Sequence, residues 1–168
     1  MIIPPIDFKS WIESNRDLLK PPVCNKVVYE NTEFIIMVVG GPNKRKDYHI
    51  DEGEEFFYQI EGKMILKIMK NNKPQNITIN EGHIFLLPAK IPHSPQRFEN
   101  TVGLVIERKR KKVELDGFQW YCDNCNNLLY ETFFSIDDIV KQLPPIFESF
   151  WTNIELRTCS ICNEILQK

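Results

Sequence analysis

Residues 45–62 read RKDYHIDEGEEFFYQIEG, and a later stretch, residues 82–97, reads GHIFLLPAKIPHSPQR. The first stretch offers His49 and Glu55, six residues apart, and the second offers His93. Two imidazoles and one carboxylate form the facial triad of non-haem Fe(II) oxygenases, which leaves coordination positions open for substrate and dioxygen. The two stretches together therefore predict a mononuclear Fe(II) site.

Short β-branched and aromatic runs, separated by turn residues, extend from Val27 to Glu107. The predicted strands are 26–29, 33–39, 55–60, 64–69, 75–79, 84–87 and 103–107. His93 is expected on a further strand that begins after Pro92. Many short strands at regular spacing are typical of an antiparallel sandwich or barrel, whose interior is a natural ligand cavity. Three ligands from separate strands would form a rigid face on one side of the metal.

Helices are predicted on both sides of the strand region. Residues 7–19 carry apolar side chains at largely helical spacing, with Asp7 as a plausible N-cap, and indicate a short helix packed on the main body. A second helix is predicted over residues 135–143, where Ser135 and Asp138 resemble a capping box. Pro144-Pro145 is predicted to end it, and a second short helical turn is predicted around residues 147–151.

Four of the five cysteines form two Cys-x-x-Cys pairs, Cys122/Cys125 and Cys159/Cys162. Tetrahedral thiolates at this spacing suit structural zinc, or iron in a rubredoxin-like site. Two disulfides and a redox dithiol are the alternative interpretations. A reducing compartment disfavours the disulfides, and the presence of two pairs favours a closed metal site over a single reactive dithiol.

Length and charge limit the architecture and the partners. A chain of 168 residues fits one domain with a small appendage, and we expect a catalytic barrel over residues 1–114 and a metal-binding arm over residues 115–168. The net charge of −2 argues against nucleic acid, and the basic cluster 108–112 is interpreted as a solvated edge. The chain has no apolar run of about 20 residues and no signal-peptide pattern, so we expect no membrane span and a cytoplasmic location.

The spacing of the candidate ligands resembles the two motifs of the cupin family. Residues 49–62 follow the pattern H-x-D-x3-E-x6-G of the first motif, and residues 82–93 follow the second as G-x5-P-x-K-x2-H. Lys90 stands where the family usually has glycine, and Asp51 stands where a typical cupin has another histidine. The missing histidine is consistent with an open site of three protein ligands. The resemblance implies a mainly-β, double-stranded β-helix (jelly-roll) barrel.

Longer matching blocks narrow the resemblance to the 3-hydroxyanthranilate 3,4-dioxygenase family, in its short form with one cupin domain and a four-cysteine arm. These blocks are LLKPPV at 18–23, MVVGGPN at 37–43, R-x-D-Y-H at 45–49, EEFFYQ at 54–59, IFLLPAKIPHSPQR at 84–97 and VIERKR at 105–110. The resemblance implies an Fe(II) enzyme that opens the ring of 3-hydroxyanthranilate with O2 to give 2-amino-3-carboxymuconate semialdehyde. It also implies a homodimer, and a place in tryptophan catabolism by the kynurenine pathway and in quinolinate and NAD biosynthesis.

The resemblance also assigns roles by position. It makes His49, Glu55 and His93 the iron ligands, Arg45 and Arg97 the pair that holds the substrate carboxylate, and Glu107 the glutamate at the substrate's amino and hydroxyl edge. A guanidinium is always charged and forks onto a carboxylate through two parallel hydrogen bonds, so two arginines can fix an aromatic acid in one orientation. Glu107 is the candidate for proton transfer. Asp47 is expected to brace Arg45 or to cap the turn.

Two alternatives keep the barrel and change the function. One is a non-enzymatic, metal-containing cupin that binds or senses a ligand, and the other is a cupin dioxygenase for another aromatic acid. Arg45, Arg97 and Glu107 favour an enzyme over a sensor, because a generic sensor has no need of a carboxylate clamp beside an open metal site.

Overall fold

The computed structural model describes residues 2–135 and 139–168, with nothing stated for the side chains of residues 139–141. The chain begins with helix α1 (Phe8–Ser14) and a 3₁₀ turn (Arg16–Leu19). Eleven strands follow in the described residues: β1 (Asn25–Val27), β2 (Phe34–Gly40), β3 (Asp47–Ile50), β4 (Glu55–Glu61), β5 (Met64–Lys70), β6 (Lys73–Ile79), β7 (Ile84–Leu87), β8 (His93–Arg97), β9 (Val102–Arg108), β10 (Asp116–Tyr121) and β11 (Leu128–Phe134). Helices α2 (Ile139–Thr152) and α3 (Ile154–Arg157) follow the strands.

The strands form two antiparallel sheets, with the orders β1-β2-β9-β4-β7 and β11-β10-β3-β8-β5-β6. Alternate residues of β4 and β5 are buried, as expected when one face of a strand lies on a core. The main core lies between the sheets and includes Phe57, Leu66, Leu87 and Val105. The predicted mainly-β barrel with an N-terminal helix and a C-terminal four-cysteine arm is confirmed.

The N-terminal helix covers the outer face of the first sheet. Asp7 caps α1 as predicted, because its Oδ1 accepts a hydrogen bond from the backbone N–H of Ser10 at 3.2 Å. Ile12 and Leu19 are buried against Val38 and other apolar side chains of the sheet. None of the helices in residues 2–135 and 139–168 is long and apolar enough to cross a membrane.

The predicted end of the C-terminal helix at Pro144-Pro145 is wrong, because α2 runs on to Thr152 and contains both prolines. Proline removes a backbone N–H and disfavours a helix interior. Here the residues after the prolines compensate by packing, and the ring of Phe150 stacks on that of Trp120 with centroids 4.4 Å apart. The predicted capping box includes Asp138, which lies outside the described residues.

Strands β10 and β11 lie C-terminal to residue 114 and were not predicted as strands. β10 pairs with β3, with Phe118 opposite His49, so this segment extends the second sheet directly beside a candidate ligand. A strand was expected at His49 but without bounds, because the sequence of β3, Asp-Tyr-His-Ile, is short and half polar. The division of the chain at residue 114 falls between β9 and β10 and stays a prediction.

Candidate metal centre and substrate cavity

The three predicted iron ligands converge between the two sheets. His49 on β3 and His93 on β8 are cross-strand neighbours, and Glu55 opens β4 in the opposite sheet. The Oε1 of Glu55 lies 3.6 Å from the Nδ1 of His49 and 2.9 Å from the Nε2 of His93. One donor atom from each residue lies within 4.8 Å of the others. The fold thus gathers three candidate ligand side chains from three strands at one point.

The surroundings of Glu55 fit a bound cation. The described residues include five buried carboxylates: Asp47, Asp51, Glu55, Glu107 and Asp116. All except Glu55 pair with an arginine. The Oε1 of Glu55 is buried and accepts no hydrogen bond of good geometry, although the Nε2 of His93 lies 2.9 Å away. Because buried charges need compensation, this carboxylate favours a metal cation at the donor atoms.

Electrostatics prepare Glu55 to act as a ligand. Burial disfavours its carboxylate, but His93 and His49 outweigh burial and hold the pKa of Glu55 below its usual value. Burial also opposes protonation of His49, but Asp116 and Glu55 outweigh it and raise the pKa of His49 to about 9. Metal binding by His49 would therefore release a proton.

Each candidate histidine ligand has a hydrogen-bond partner at the ring nitrogen that does not face Glu55. The Nε2 of His49 lies 2.7 Å from the Oδ1 of Asp116, and the Nδ1 of His93 lies 3.0 Å from the carbonyl oxygen of Ile91. The ring of Phe118 packs on His49 with centroids 5.1 Å apart. Such partners orient metal-binding imidazoles and tune their basicity. Sequence reasoning missed Asp116, although it is the acidic residue that opens an alternating apolar segment.

A cavity of about 190 Å³ adjoins the donors. Its apolar walls include Met37, Val39, Phe57, Val105 and Phe118. Its polar lining includes the three candidate ligands and the predicted substrate-binding residues Arg45, Arg97 and Glu107. The volume is below the roughly 300–1,000 Å³ of sites for drug-sized ligands. The cavity therefore suits a small ring with polar substituents.

The two predicted clamp arginines differ in their partners. Arg45 donates from Nε to the Oδ2 of Asp47 at 3.0 Å, so the predicted contact between them is confirmed. Arg97 is 2% exposed and makes one long contact, 3.4 Å from its Nη1 to the Oε1 of Gln59. No carboxylate of the described residues lies within ion-pair distance of Arg97, and burial lowers the pKa of its guanidinium to about 10. Arg97 therefore has guanidinium N–H groups that make no hydrogen bond within the described residues.

Glu107 lies opposite Glu55 in the pairing of β9 with β4. Like charges directly opposite each other in a sheet repel. Burial, together with the charge of Glu55, raises the pKa of Glu107. A carboxyl with a raised pKa beside the candidate metal ligands is suited to accept and return a proton.

The interpretation of residues 108–112 as a solvated edge is wrong for Arg110. Its side chain is 10% exposed and pairs with Glu107, Asp116 and Asp51. Its neighbour Arg108 pairs instead with Glu114 nearer the surface. The sequence carried one weak signal for this role, since Arg110 follows Glu107 by three residues.

The four paired cysteines also meet. Cys122 and Cys125 follow β10, and Cys159 and Cys162 follow α3. The sulfurs of Cys122 and Cys162 lie 3.5 Å apart, as do those of Cys125 and Cys159, and all four lie within 4.8 Å of one another. All four are free thiols in this arrangement. One tetrahedral metal ion fits this donor set.

Each Cys-x-x-Cys segment closes in the same way. The backbone N–H of Asn126 donates to the carbonyl of Cys122 at 2.9 Å, and that of Asn163 donates to Cys159 at 2.9 Å. Both asparagines have positive φ, 61° and 59°, a conformation that asparagine tolerates better than most residues. Backbone N–H groups, chiefly that of Cys162, lower the pKa of the Cys159 thiol to about 6. The backbone of this turn therefore favours a thiolate at Cys159, whereas burial and the neighbouring thiols raise the pKa of Cys122 and Cys125.

A sequence model of the 3-hydroxyanthranilic acid dioxygenase family matches residues 1–151. The chain belongs to this family. The 3-hydroxyanthranilate 3,4-dioxygenase of Xanthomonas euvesicatoria pv. vesicatoria is 53% identical over 165 residues, which cover 98% of this chain and 93% of that protein. The Bos taurus protein of the same name is 51% identical over 154 residues, which cover 92% of this chain and 54% of that protein.

Family membership confirms the predicted enzyme class, a dioxygenase. The roles predicted for individual side chains of this dioxygenase stay predictions. The structure brings together His49, Glu55, His93, Arg45, Arg97 and Glu107, and it gathers the four cysteines at a separate point. Arg110, Asp116 and Asp51 join the first group, and sequence reasoning gave none of them a role there.

Proposed function

We propose that this dioxygenase opens the ring of 3-hydroxyanthranilate with O2 to give 2-amino-3-carboxymuconate semialdehyde. The observation that carries the proposal is the buried, uncompensated guanidinium of Arg97 in the same small cavity as the three donors. A compact aromatic acid would suit both groups of residues in that cavity. Its carboxylate pairs with Arg97, and its hydroxyl and amino groups lie where the three candidate ligands would hold the metal. The names of the curated relatives support this substrate.

The donor set, and the buried carboxylate of Glu55 without an arginine partner, support Fe(II) at His49, Glu55 and His93. Bound there, Fe(II) would supply open positions for the substrate and dioxygen and the redox chemistry that their reaction requires. The four cysteines would hold a second ion, Zn or Fe, in a closed structural site.

The protein's own side chains account for binding and proton transfer. Arg97 forks onto the substrate carboxylate, and Arg45, braced by Asp47, closes the clamp from the second sheet. Glu107 accepts the proton that the substrate hydroxyl loses on binding and returns it during ring opening. Phe57 and Val105 pack along the ring and exclude water.

The chemistry of the product indicates the pathway in which the enzyme acts. A semialdehyde that carries an amino group closes to a pyridine, quinolinate, which leads to NAD. The protein would thus serve the kynurenine pathway of tryptophan catabolism. Four free thiols fit the reducing cytoplasm, which we propose as its location.

We also propose a homodimer. Phe34, Ile84 and Leu86 are exposed apolar side chains on the outer face of the first sheet. A second copy of the chain would cover them. Light scattering on the purified protein tests this, and a monomer at all concentrations would contradict it.

Anaerobic loading with Fe(II), followed by 3-hydroxyanthranilate and air, tests the reaction. We expect a transient absorbance from the conjugated semialdehyde, which decays as the ring closes to quinolinate. Anthranilate, which lacks the hydroxyl group, is the matched control and should give no such signal. Folded, iron-loaded protein that produces no new absorbance with 3-hydroxyanthranilate would contradict the proposal.

A further inference from the structure

Arg110 lines the cavity and lies among three buried carboxylates. Its Nη1 donates to the Oε1 of Glu107 at 2.8 Å, and its Nη2 donates to the Oδ1 of Asp116 at 2.8 Å. The same Nη2 lies 2.9 Å from the Oδ2 of Asp51. One guanidinium therefore holds together carboxylates from β9, β10 and the turn after β3.

Two of these carboxylates lead directly to the chemistry. The Oδ1 of Asp116 that Arg110 contacts also lies 2.7 Å from the Nε2 of His49, a candidate metal ligand. Glu107, the other partner, is the cross-strand neighbour of the ligand Glu55. Arg110 thus touches the group that orients one ligand and the group predicted to transfer the proton.

The contacts of Arg110 separate its role from that of Arg97. The Nε, Nη1 and Nη2 of Arg110 already donate to protein carboxylates, whereas Arg97 makes a single long contact to Gln59. Arg110 is therefore not arranged to bind the carboxylate of a ligand. Without its charge, Glu107 and Asp116 would repel each other in a medium of low dielectric and move apart.

We propose that Arg110 is a positioning residue, which holds Asp116 against His49 and Glu107 against the substrate edge. It would fix the ligand geometry on one side of the cavity and the proton acceptor on the other. The part that concerns Glu107 rests on the proposed function. The part that concerns His49 rests on the donor set alone.

Three variants test this inference: Arg110→Gln, Arg110→Lys and, as the matched control, Arg108→Gln. Arg108 forks onto Glu114 at 2.6 and 2.8 Å and makes no hydrogen bond to Asp51, Glu107 or Asp116. Fe(II) affinity is measured by anaerobic equilibrium dialysis, with the four-cysteine site filled beforehand with zinc. Steady-state oxygen uptake at saturating Fe(II) gives kcat and KM.

We expect Arg110→Gln to lower Fe(II) affinity roughly 10- to 100-fold, the usual effect of losing a group that orients a metal ligand. The kcat should fall by a similar factor, whereas KM changes less than about threefold, because the carboxylate clamp is intact. Arg110→Lys should recover part of both losses, since an ammonium keeps the charge but cannot fork onto two carboxylates. Arg108→Gln should change neither quantity.

Folded Arg110→Gln protein with Fe(II) affinity and kcat within twofold of wild type would overturn the inference. Equal losses in Arg108→Gln would overturn it too, because they would indicate a general loss of stability. If Arg110→Gln does not fold, Arg110→Lys is judged by the same limits. If the wild type takes up no oxygen, the proposed function fails, and the Fe(II) affinities still decide the role of Arg110 toward His49.

Discussion

Arg97 is a buried cation whose donors are largely unused, and a ligand carboxylate would supply the missing charge. Arginine is suited to this task because its fork matches the two oxygens of a carboxylate. Because Arg97 is buried without a carboxylate partner, the free enzyme can present its guanidinium to the carboxylate of a substrate. The affinity for substrate should therefore depend on Arg97 more than on Arg45, whose charge Asp47 already partly neutralises.

We predict that Arg97→Ala raises KM about 10- to 100-fold, because a hydrogen bond to a charged group contributes roughly 1.5–3 kcal/mol. Fe(II) content should stay normal, since Arg97 contacts none of the three ligands. Oxygen uptake against substrate concentration measures the effect. Arg97→Lys keeps the charge but loses the two parallel hydrogen bonds, so its KM should lie between those of the wild type and Arg97→Ala. An unchanged KM in folded Arg97→Ala protein would contradict the carboxylate clamp.

Single residues of the site differed in how far the sequence could predict them. His49, Glu55 and His93 follow a spacing that a metal site requires, so their types and positions were informative before any fold was known. Asp116 could not be found in this way, because it meets His49 across 67 residues through the pairing of β10 with β3. The role of Arg110 was not predicted, because it lies in a basic run whose other members face outward.

At the scale of elements, β9 shapes the cavity through a glycine. A Cβ added at Gly103 would lie 2.5 Å from the Nη1 of Arg97 and 3.0 Å from the Oε1 of Gln59. The strand thus needs the absence of a side chain at this position so that the guanidinium can lie against its backbone.

Gly103→Ala should therefore displace Arg97 and raise KM severalfold, while the Fe(II) content stays close to that of wild type. Steady-state kinetics and metal analysis on the same sample check both parts. A loss of Fe(II) together with activity would contradict this, because it would mean that the substitution disturbs the ligands rather than the clamp.

Helix α2 shows where local rules gave the wrong boundary. Two prolines predict a helix end, yet aromatic packing beyond them carries the helix to Thr152. Phe150 and Trp120 are both fully buried in this contact. The local pattern predicted a helical turn around residues 147–151 but not its continuity with the helix before the prolines. That continuity depends on residues of β10 that are distant in sequence.

We predict that Phe150→Ala lowers the free energy of unfolding by about 3–5 kcal/mol, the usual range for removing a buried aromatic ring. Denaturant unfolding followed by tryptophan fluorescence measures it. Ile154→Ala, at a position 55% exposed, is the control and should change stability little. A cost below about 1 kcal/mol for Phe150→Ala would show that α2 is not docked as described.

At the scale of the whole molecule, β10 connects the two candidate metal centres. It begins at Asp116, the partner of His49, and ends at Tyr121, directly before Cys122. The four-cysteine cluster therefore lies at the far end of a strand that supports the cavity. Both the barrel and this arm were predictable from motif spacing, whereas their shared sheet required the register of β3 and β10.

We predict that Cys125→Ser impairs folding, because a structural zinc ion contributes on the order of 10 kcal/mol in finger peptides. The fraction that folds and binds Fe(II) should keep its ring-opening rate. Thermal unfolding and turnover per bound iron measure the two effects, and Cys24→Ser, outside the cluster, is the control. Loss of turnover in folded, Fe(II)-loaded Cys125→Ser protein would contradict a purely structural role.

Oxygen uptake by the Fe(II)-loaded protein tests the central claim most directly. With 3-hydroxyanthranilate we predict one O2 consumed for each substrate molecule, at a rate that saturates with substrate. Anthranilate, without the hydroxyl group, should give no uptake, and 2-aminophenol, without the carboxylate, should give a much higher KM. No oxygen uptake with 3-hydroxyanthranilate by folded, Fe(II)-loaded protein would contradict the assignment of this cavity as a ring-opening dioxygenase site.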